Sequence, residues 1–154
     1  MIVGVGTDIV AVARIFRLLE RYADAVAGKI LSDEEAETFR RAFGDAISAF
    51  SGKENPERAA NARQSRAAAA FVAKRFAAKE ALAKAFGTGL RAPVLLPAIT
   101  VRNSALGQPF FAYAPELAEW VEEKHVTAHL SLSDERDFAL AFVVLERKAA
   151  RGEP

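Results

Sequence analysis

The chain has 154 residues, of which 51% are hydrophobic and 27% charged, with a formal net charge of +1 and no cysteine. This balance predicts one soluble globular domain with a sizeable core, and it gives no bulk electrostatic reason to expect a nucleic-acid partner. The lack of cysteine excludes disulfides, thiolate zinc sites and a cysteine nucleophile, and it fits a cytoplasmic location. No apolar run approaches the roughly 20 residues of a membrane span, so we expect neither a membrane partner nor a signal peptide.

Residues 2–9 predict a buried β-strand in which Gly4, Gly6 and Asp8 share one face. The two glycines predict open space around the Asp8 carboxylate, or the close approach of a ligand or another backbone. A charged carboxylate at the end of an apolar strand needs a metal ion or a hydrogen-bonding partner. Alternatively, Asp8 caps the helix that follows, as Asp often does. This segment alone leaves both interpretations open.

Residues 10–27 predict an amphipathic helix, and Arg14, Arg17 and Arg21 recur along one side of it. That basic side is either a solvated face or a docking surface for an acidic partner. Ser32 and Glu35 then form a capping box that opens a helix to about Phe43.

Residues 44–66 carry few apolar anchors and predict a mobile insertion loop with room for one turn of helix. We interpret the loop as an insertion in a single domain that spans residues 1–147, followed by a charged tail at 148–154.

Residues 67–86 predict a long, half-buried helix that Gly87 and Gly89 terminate. Glu80 is the one carboxylate between residues 71 and 84, among four basic side chains: Lys74, Arg75, Lys79 and Lys84. One interpretation is an ordinary i, i+4 salt bridge between Glu80 and Lys84. The other is that Glu80 holds a metal ion and Lys84 a phosphate, side by side on one helix face.

The last third of the chain predicts strands and one helix. After an irregular, proline-containing connection, strands are expected at 99–102, 108–113, 126–133 and 138–145, with a helix from Pro115 to about Lys124. Alternation places His129, Ser131 and Ser133 on one face of the third of these strands. A lone histidine of this kind is more often structural than functional.

Three segments together resemble the holo-acyl-carrier-protein synthases, the small bacterial 4′-phosphopantetheinyl transferases. They are Gly6-Thr-Asp-Ile-Val10 with Arg14-Ile15, Arg75-Phe-Ala-Ala-Lys-Glu-Ala81 with Lys84-Ala-Phe-Gly-Thr-Gly89, and His129-Leu-Ser-Leu-Ser-Asp134. The resemblance implies an α+β fold with an antiparallel sheet, a long central helix and a homotrimer with active sites between subunits. It also implies transfer of the phosphopantetheine arm from coenzyme A to a serine of apo acyl carrier protein.

The resemblance implies a role for each matching residue. Asp8 and Glu80 would bind magnesium, and Lys84 would lie beside the pyrophosphate. Glu80, directly or through a metal-bound water, is the candidate base for the serine proton. The coenzyme A site would be formed by Arg75, Lys79, Lys84, Gly87, Thr88, Gly89, His129 and Ser131. Arg14, Arg17 and Arg21 would dock the acidic carrier protein.

A second hypothesis needs no catalysis. In it the chain is a binding module whose basic helices dock an acidic protein or a nucleic acid. Such binding would depend strongly on the salt concentration and would depend on neither magnesium nor coenzyme A.

Overall fold

The structure, a computed structural model, describes residues 1–51 and 58–149. Its strands are β1 (Ile2–Ala11), β2 (Ile99–Asn103), β3 (Pro109–Tyr113), β4 (Val126–Asp134) and β5 (Phe138–Arg147). Its α-helices are α1 (Val12–Ile30), α2 (Asp33–Ser51), α3 (Arg58–Phe86) and α4 (Pro115–Glu123), and a 3₁₀ turn spans Leu96–Ala98. Within these residues none of the helices combines the length and apolar character that crossing a bilayer requires.

The strands form two antiparallel sheets. The larger has the order β1-β5-β4, and β2 pairs with β3 in a separate hairpin. In the larger sheet Asp8 is opposite Ala141, which is opposite Leu132, so these three share one face. Thr7, Phe142 and Ser131 form the adjacent row on the other face. The predicted α+β class, with an antiparallel sheet and a long central helix, is confirmed.

Helix α3 lies at the centre of the core rather than on its surface. It packs on β1 and β5 and also contacts α1 and α2. Several of its side chains are wholly buried on different sides of the helix: Val72, Ala73, Ala77, Ala78, Lys79, Ala81, Leu82 and Ala83. The prediction of a half-buried helix is therefore wrong, because small alanine side chains let neighbours approach α3 from several directions.

Gly4 and Gly6 are needed where β1 crosses α3. A Cβ on Gly6 would lie 2.0 Å from the Ala81 carbonyl oxygen, and one on Gly4 would lie 2.3 Å from the Ala85 carbonyl oxygen. Real Cβ atoms do not approach backbone this closely, so the strand and the helix touch main chain to main chain. The expectation of another backbone at these glycines is confirmed, and that of open space around Asp8 is wrong.

The predicted loop at 44–66 is wrong over most of its length. Helix α2 continues to Ser51, and α3 begins at Arg58, well before the predicted start near Ala67. Residues 52–57 lie outside the described residues. Extending an existing helix adds one hydrogen bond for each residue fixed, so a segment with few apolar anchors stays helical when it continues a packed helix.

Helix α1 and the short elements follow their predictions with shifted ends. The chain leaves helical geometry at Tyr22, where φ is −142°, and α1 then continues to Ile30. The capping box is present, because Ser32 N donates to Glu35 Oε2 at 2.9 Å and Glu35 N donates to Ser32 Oγ at 3.3 Å. Gly87 and Gly89 have φ of 72° and 61°, the left-handed angles expected after a helix.

The face of the β1-β5-β4 sheet that points away from α3 is uncovered. Six large apolar side chains on it are 38–60% exposed: Val3, Val5, Ile9, Phe138, Leu140 and Phe142. We call this side of the sheet the outer sheet face. The prediction that β1 is buried holds only for its other face, which carries Gly6 and Val10. An exposed apolar patch of this kind is typical of a protein–protein interface.

Candidate active site

Asp8 and Lys84 meet where β1 crosses α3. Lys84 Nζ donates to Asp8 Oδ1 at 2.8 Å and to the Thr7 carbonyl oxygen at 3.0 Å. The Asp8 side chain is 16% exposed, and that of Lys84 is 50% exposed. Asp8 does not cap a helix, because β1 continues to Ala11 and Val12 N donates to the Asp137 carbonyl oxygen instead. The site thus has an accessible cation paired with a largely covered carboxylate.

Glu80 lies beside this pair, one turn before Lys84 on α3. Burial raises the pKa of Glu80, the negative charge of Asp8 raises it further, and the cations Lys84 and Arg14 oppose both effects. Lys84 is bonded to Asp8, so the i, i+4 salt bridge with Glu80 is not the arrangement in the structure. Two carboxylates from distant parts of the chain are therefore close enough to repel each other, and a cation bound between them would relieve that repulsion.

Lys79 does not belong to this site. It is wholly buried and donates to Glu35 Oε2 at 2.5 Å and to the Ile30 carbonyl oxygen at 2.7 Å. Burial lowers the pKa of Lys79 to about 8, against the favourable charge of Glu35. The prediction that Lys79 contacts coenzyme A is wrong, because its ammonium points into the core and its donors serve protein oxygens.

Arg75 lines a cavity of about 590 Å³ that opens between α3, β2 and β4. Its guanidinium carbon lies 3.3 Å from the centre of the Phe71 ring, and Nη1 donates to the Phe71 carbonyl oxygen at 3.2 Å. Burial lowers the pKa of Arg75, while Glu35 raises it. The other lining residues include Lys74, Asn103, Gly107, Pro109, Leu132 and Asp134. The cavity has the size of a small-molecule site.

Gly87, Thr88 and Gly89 follow the C-terminus of α3, close in sequence to Lys84. Gly87 N donates to the Lys84 carbonyl oxygen at 3.0 Å, and Thr88 Oγ1 donates to the Gly89 carbonyl oxygen at 2.9 Å. A Cβ on either glycine would meet nothing within 4 Å. Space is therefore available around this turn, next to the Lys84 ammonium.

His129 and Ser131 are exposed on β4, on the outer sheet face, whereas Asp8 is on the inner face. His129 Nε2 lies 3.0 Å from Glu146 Oε2 of the neighbouring strand. One chain therefore does not bring His129 and Ser131 together with Asp8, Glu80 and Lys84. Of the predicted site residues, Asp8 on β1 and Glu80 and Lys84 on α3 converge, and those on β4 do not.

Arg14, Arg17 and Arg21 are exposed on α1, as their spacing predicts. The guanidinium carbon of Arg14 lies 5.9 Å from the centre of the Phe76 ring, and its charge acts on Glu80. The basic side of α1 consequently begins beside the acidic pair.

Two parts of this region were not found from the sequence. Glu35 was recognised only as half of a capping box, yet it also accepts from Lys79 and from Val101 N at 2.8 Å. Phe71 is predicted only as part of the helix at 67–86, and not as a platform for Arg75. The i, i+4 spacing of Phe71 and Arg75 was the available signal for that contact.

Among the described residues, no three or more His, Cys, Asp or Glu side chains gather into a ready-made metal cage. A site with two protein carboxylates is instead the pattern typical of Mg²⁺, which keeps several waters and also takes ligands from substrate phosphates. Asp8 and Glu80 are the pair that meets this description.

Comparisons with known proteins agree with the geometry. Residues 4–143 match the family model described as the 4′-phosphopantetheinyl transferase superfamily. The holo-acyl-carrier-protein synthase of Nitrosospira multiformis is 47% identical over 96% of this chain and 100% of its own length. That of Dechloromonas aromatica is 44% identical over 95% of this chain and 98% of its own length.

Solved structures show the same relationship. The holo-acyl-carrier-protein synthase of Neisseria meningitidis superposes with a TM-score of 0.76 at 41% identity, covering 96% of this chain and 100% of the other. That of Bacillus anthracis, in complex with CoA (3′,5′-ADP), gives a TM-score of 0.67 at 32% identity over 96% and 99%. These relatives support the transferase hypothesis and not the non-catalytic binding module. The chain belongs to the 4′-phosphopantetheinyl transferase superfamily and, within it, to the holo-acyl-carrier-protein synthases.

Proposed function

We propose that this chain transfers 4′-phosphopantetheine from coenzyme A to a serine hydroxyl of apo acyl carrier protein. The serine oxygen attacks the phosphorus of the pantetheine phosphate, the bond from that phosphorus to the bridging oxygen breaks, and adenosine 3′,5′-bisphosphate leaves. The observation that carries the proposal is the convergence of Asp8, Glu80 and Lys84 at the crossing of β1 and α3, in a member of this family.

Asp8 and Glu80 are the residues that would hold Mg²⁺. The donor set fits, since both offer the hard oxygen ligands that Mg²⁺ prefers. The pKa of Glu80 is raised first by burial and then by the negative charge of Asp8. When bound, Mg²⁺ would supply charge neutralisation for the diphosphate of coenzyme A. Lys84 adds a second positive charge beside the leaving phosphate, where a point charge or a proton donor is wanted.

Glu80 is the proposed base for the serine proton. Desolvation and the charge of Asp8 raise its pKa, which brings a carboxylate closer to the range in which it accepts a proton efficiently. The acceptor serine belongs to the carrier protein, so this chain needs no nucleophile of its own.

The cavity beside Arg75 is the proposed site for the nucleotide end of coenzyme A. It is large enough for part of that ligand, and it presents a cation that a phosphate would neutralise. The open turn at Gly87, Thr88 and Gly89 would lie against the coenzyme near Lys84.

A homotrimer would complete the site. Six apolar side chains of the outer sheet face are exposed in a single chain, and covering them on association is favourable at about 25 cal/mol per Å² of apolar surface. Because His129 and Ser131 lie on that same face, association through it would bring them against another copy of the chain. We propose that they serve the active site of the neighbouring subunit.

Arg14, Arg17 and Arg21 form the proposed docking surface for the carrier protein. Their exposure on α1 and the position of Arg14 beside Glu80 support this role, because a partner held there would be close to the acidic pair. Acidic partners are steered to such surfaces by long-range electrostatic attraction.

The test is the mass of the carrier protein. Purified chain, Mg²⁺, coenzyme A and an apo carrier should add one phosphopantetheine to the carrier, and chelating the metal should stop the addition. Asp8→Ala should reduce the rate by at least about a hundredfold while circular dichroism shows an intact fold. Unchanged carrier mass with several apo carriers would refute the proposed function.

A further inference from the structure

Lys79, Glu35 and Arg75 form a buried charge cluster, of which the mechanism above uses only Arg75. The Lys79 side chain is 0% exposed and that of Glu35 is 2% exposed, whereas that of Arg75 is 18% exposed. Charges are costly to bury unless they are paired and hydrogen-bonded, so three of them on adjoining elements require a reason.

The hydrogen bonds of Glu35 show which of the two cations it is bonded to. Its Oε1 accepts from Val101 N at 2.8 Å, and its Oε2 accepts from Ser32 N at 2.9 Å and from Lys79 Nζ at 2.5 Å. Arg75 Nε lies 3.7 Å from Oε1, which makes a long ion pair but is beyond hydrogen-bond distance. Within the part of the chain that the structure describes, this buried Nε has no hydrogen-bond partner. Glu35 is thus occupied by Lys79 and two backbone amides, although a guanidinium lies next to it.

The charges leave one cation unbalanced. Lys79 and Glu35 cancel each other, which leaves the single positive charge of Arg75 in the cluster. In the cavity that Arg75 lines, the ammonium of Lys74 lies 3.3 Å from Asp134 Oδ2 and is neutralised as well. Stacking on Phe71 holds the guanidinium at the cavity wall. Among the described lining residues, Arg75 is therefore the cation left for an anionic ligand.

We propose that Lys79 is a positioning residue: by occupying Glu35 it prevents Arg75 from hydrogen-bonding to that carboxylate and keeps Arg75 available for the 3′-phosphate of coenzyme A. The inference rests on the proposed function for the identity of the ligand. Its chemistry requires only a nucleotide that carries a 3′-phosphate. Without Lys79, Oε2 of Glu35 would keep only the Ser32 amide as a partner, and it would draw the guanidinium off Phe71 and into a charge-assisted hydrogen bond.

The experiment compares two nucleotides by calorimetry on the full chain. Adenosine 3′,5′-bisphosphate and adenosine 5′-monophosphate differ only in the 3′-phosphate, so the ratio of their dissociation constants isolates that group. We expect the wild-type chain to favour the bisphosphate. Lys79→Met should weaken bisphosphate binding on the order of tenfold, the value of one hydrogen bond to a charged group, and leave the monophosphate unchanged.

A double variant makes the test specific. In Lys79→Met with Glu35→Gln the competing carboxylate is gone, so bisphosphate binding should return to within about threefold of wild type. Arg75→Gln gives the reference for complete loss of the contact, and Lys124→Met, at an exposed lysine after α4, is the matched control. In transfer assays, Lys79→Met should raise the KM for coenzyme A with little change in kcat.

Three results would overturn the inference: equal affinity of the wild type for the two nucleotides, wild-type binding by Lys79→Met, or a double variant no better than Lys79→Met. If Lys79→Met does not fold, the double variant decides alone: discrimination close to wild type supports the inference, and a loss of discrimination equal to that of Arg75→Gln overturns it. Failure of carrier modification by the wild type would refute the proposed function and leave these binding ratios interpretable.

Discussion

At the level of the single residue, the charged carboxylate of Glu80 destabilises the folded state. Its folded-state pKa is raised, first by burial and then by Asp8, so folding disfavours the charged carboxylate. A raised carboxyl pKa means that the contribution of Glu80 to stability is fully present below its unfolded pKa and is lost as pH rises through the folded pKa. At neutral pH the charged side chain therefore opposes folding.

Glu80→Gln should accordingly raise the melting temperature at pH 7.5 in the presence of a chelator, and the gain should shrink toward pH 4 as both states become protonated. The same substitution should abolish transfer. Thermal denaturation at the two pH values checks the first claim, with Glu123→Gln, an exposed glutamate on α4, as the control. A lower melting temperature for Glu80→Gln at pH 7.5 would contradict it.

Gly6 gives a sharper test at the level of packed elements. Gly6→Ala places a methyl group 2.0 Å from the Ala81 carbonyl oxygen, and no side chain can move to relieve that contact. We expect a loss of about 3 kcal/mol or more in the free energy of unfolding, at or beyond the upper end of ordinary overpacking.

Gly28→Ala is the matched control, since its Cβ would meet nothing within 4 Å. An alanine there, inside α1, should be neutral or stabilise by up to about 1 kcal/mol. Urea denaturation measures both variants. Similar stability of the two would show that β1 and α3 do not touch as described.

The basic side of α1 makes a prediction about the partner. Arg17→Glu or Arg21→Glu should raise the KM for the carrier protein by about tenfold and reduce the salt dependence of the reaction, because rim charges act mainly on encounter. The KM for coenzyme A should not change. Lys124→Glu, an exposed charge reversal after α4, serves as the control, and equal effects from all three would argue against α1 as the docking surface.

The sequence predicted the elements that depend on local signals. The capping box at Ser32, the left-handed glycines after Phe86, and the strands with their alternating faces were all visible in short windows. It failed where tertiary packing decides. Nothing local to Lys79 distinguishes a buried partner of Glu35 from a phosphate ligand, because the two residues are 44 positions apart. Similarly, the helical segments flanking residues 52–57 continue packed helices, although their own composition does not predict a helix.

For the whole molecule, the exposed apolar side chains of the outer sheet face predict that the chain associates with other copies of itself. Phe142→Asp places a charge in the middle of that face, so the chain should elute as a monomer and lose most of its activity. Leu106→Asp is the control for oligomeric state, since Leu106 is 97% exposed in the turn between β2 and β3, outside the β1-β5-β4 sheet. Light scattering with size exclusion measures both. A wild-type chain that is monomeric at micromolar concentration would refute the trimer.

The division of the site residues between the two faces of the sheet also predicts that two inactive variants restore activity when they are combined. Asp8 and His129 point to opposite faces of one sheet, so in an assembly each active site would take them from different chains. Asp8→Ala and His129→Ala should each be nearly inactive alone. Unfolding and refolding the two together should restore a measurable fraction of wild-type transfer, while refolding each alone should restore none. If the mixture stays inactive, the site lies within one chain.

The contact of β1 with α3 through bare main chain has a consequence for the choice of ion. Asp8 follows Gly6 by two residues and Glu80 precedes Ala81, and at Gly6 and Ala81 the two backbones meet without side chains between them, so no side-chain layer sets the gap between the backbones that carry the two acids. Substitutions beneath the pair cannot widen that gap a little to suit a larger cation such as Ca²⁺. A change of ion preference would have to come from lengthening one of the two acids themselves, for which Asp8→Glu is the available step.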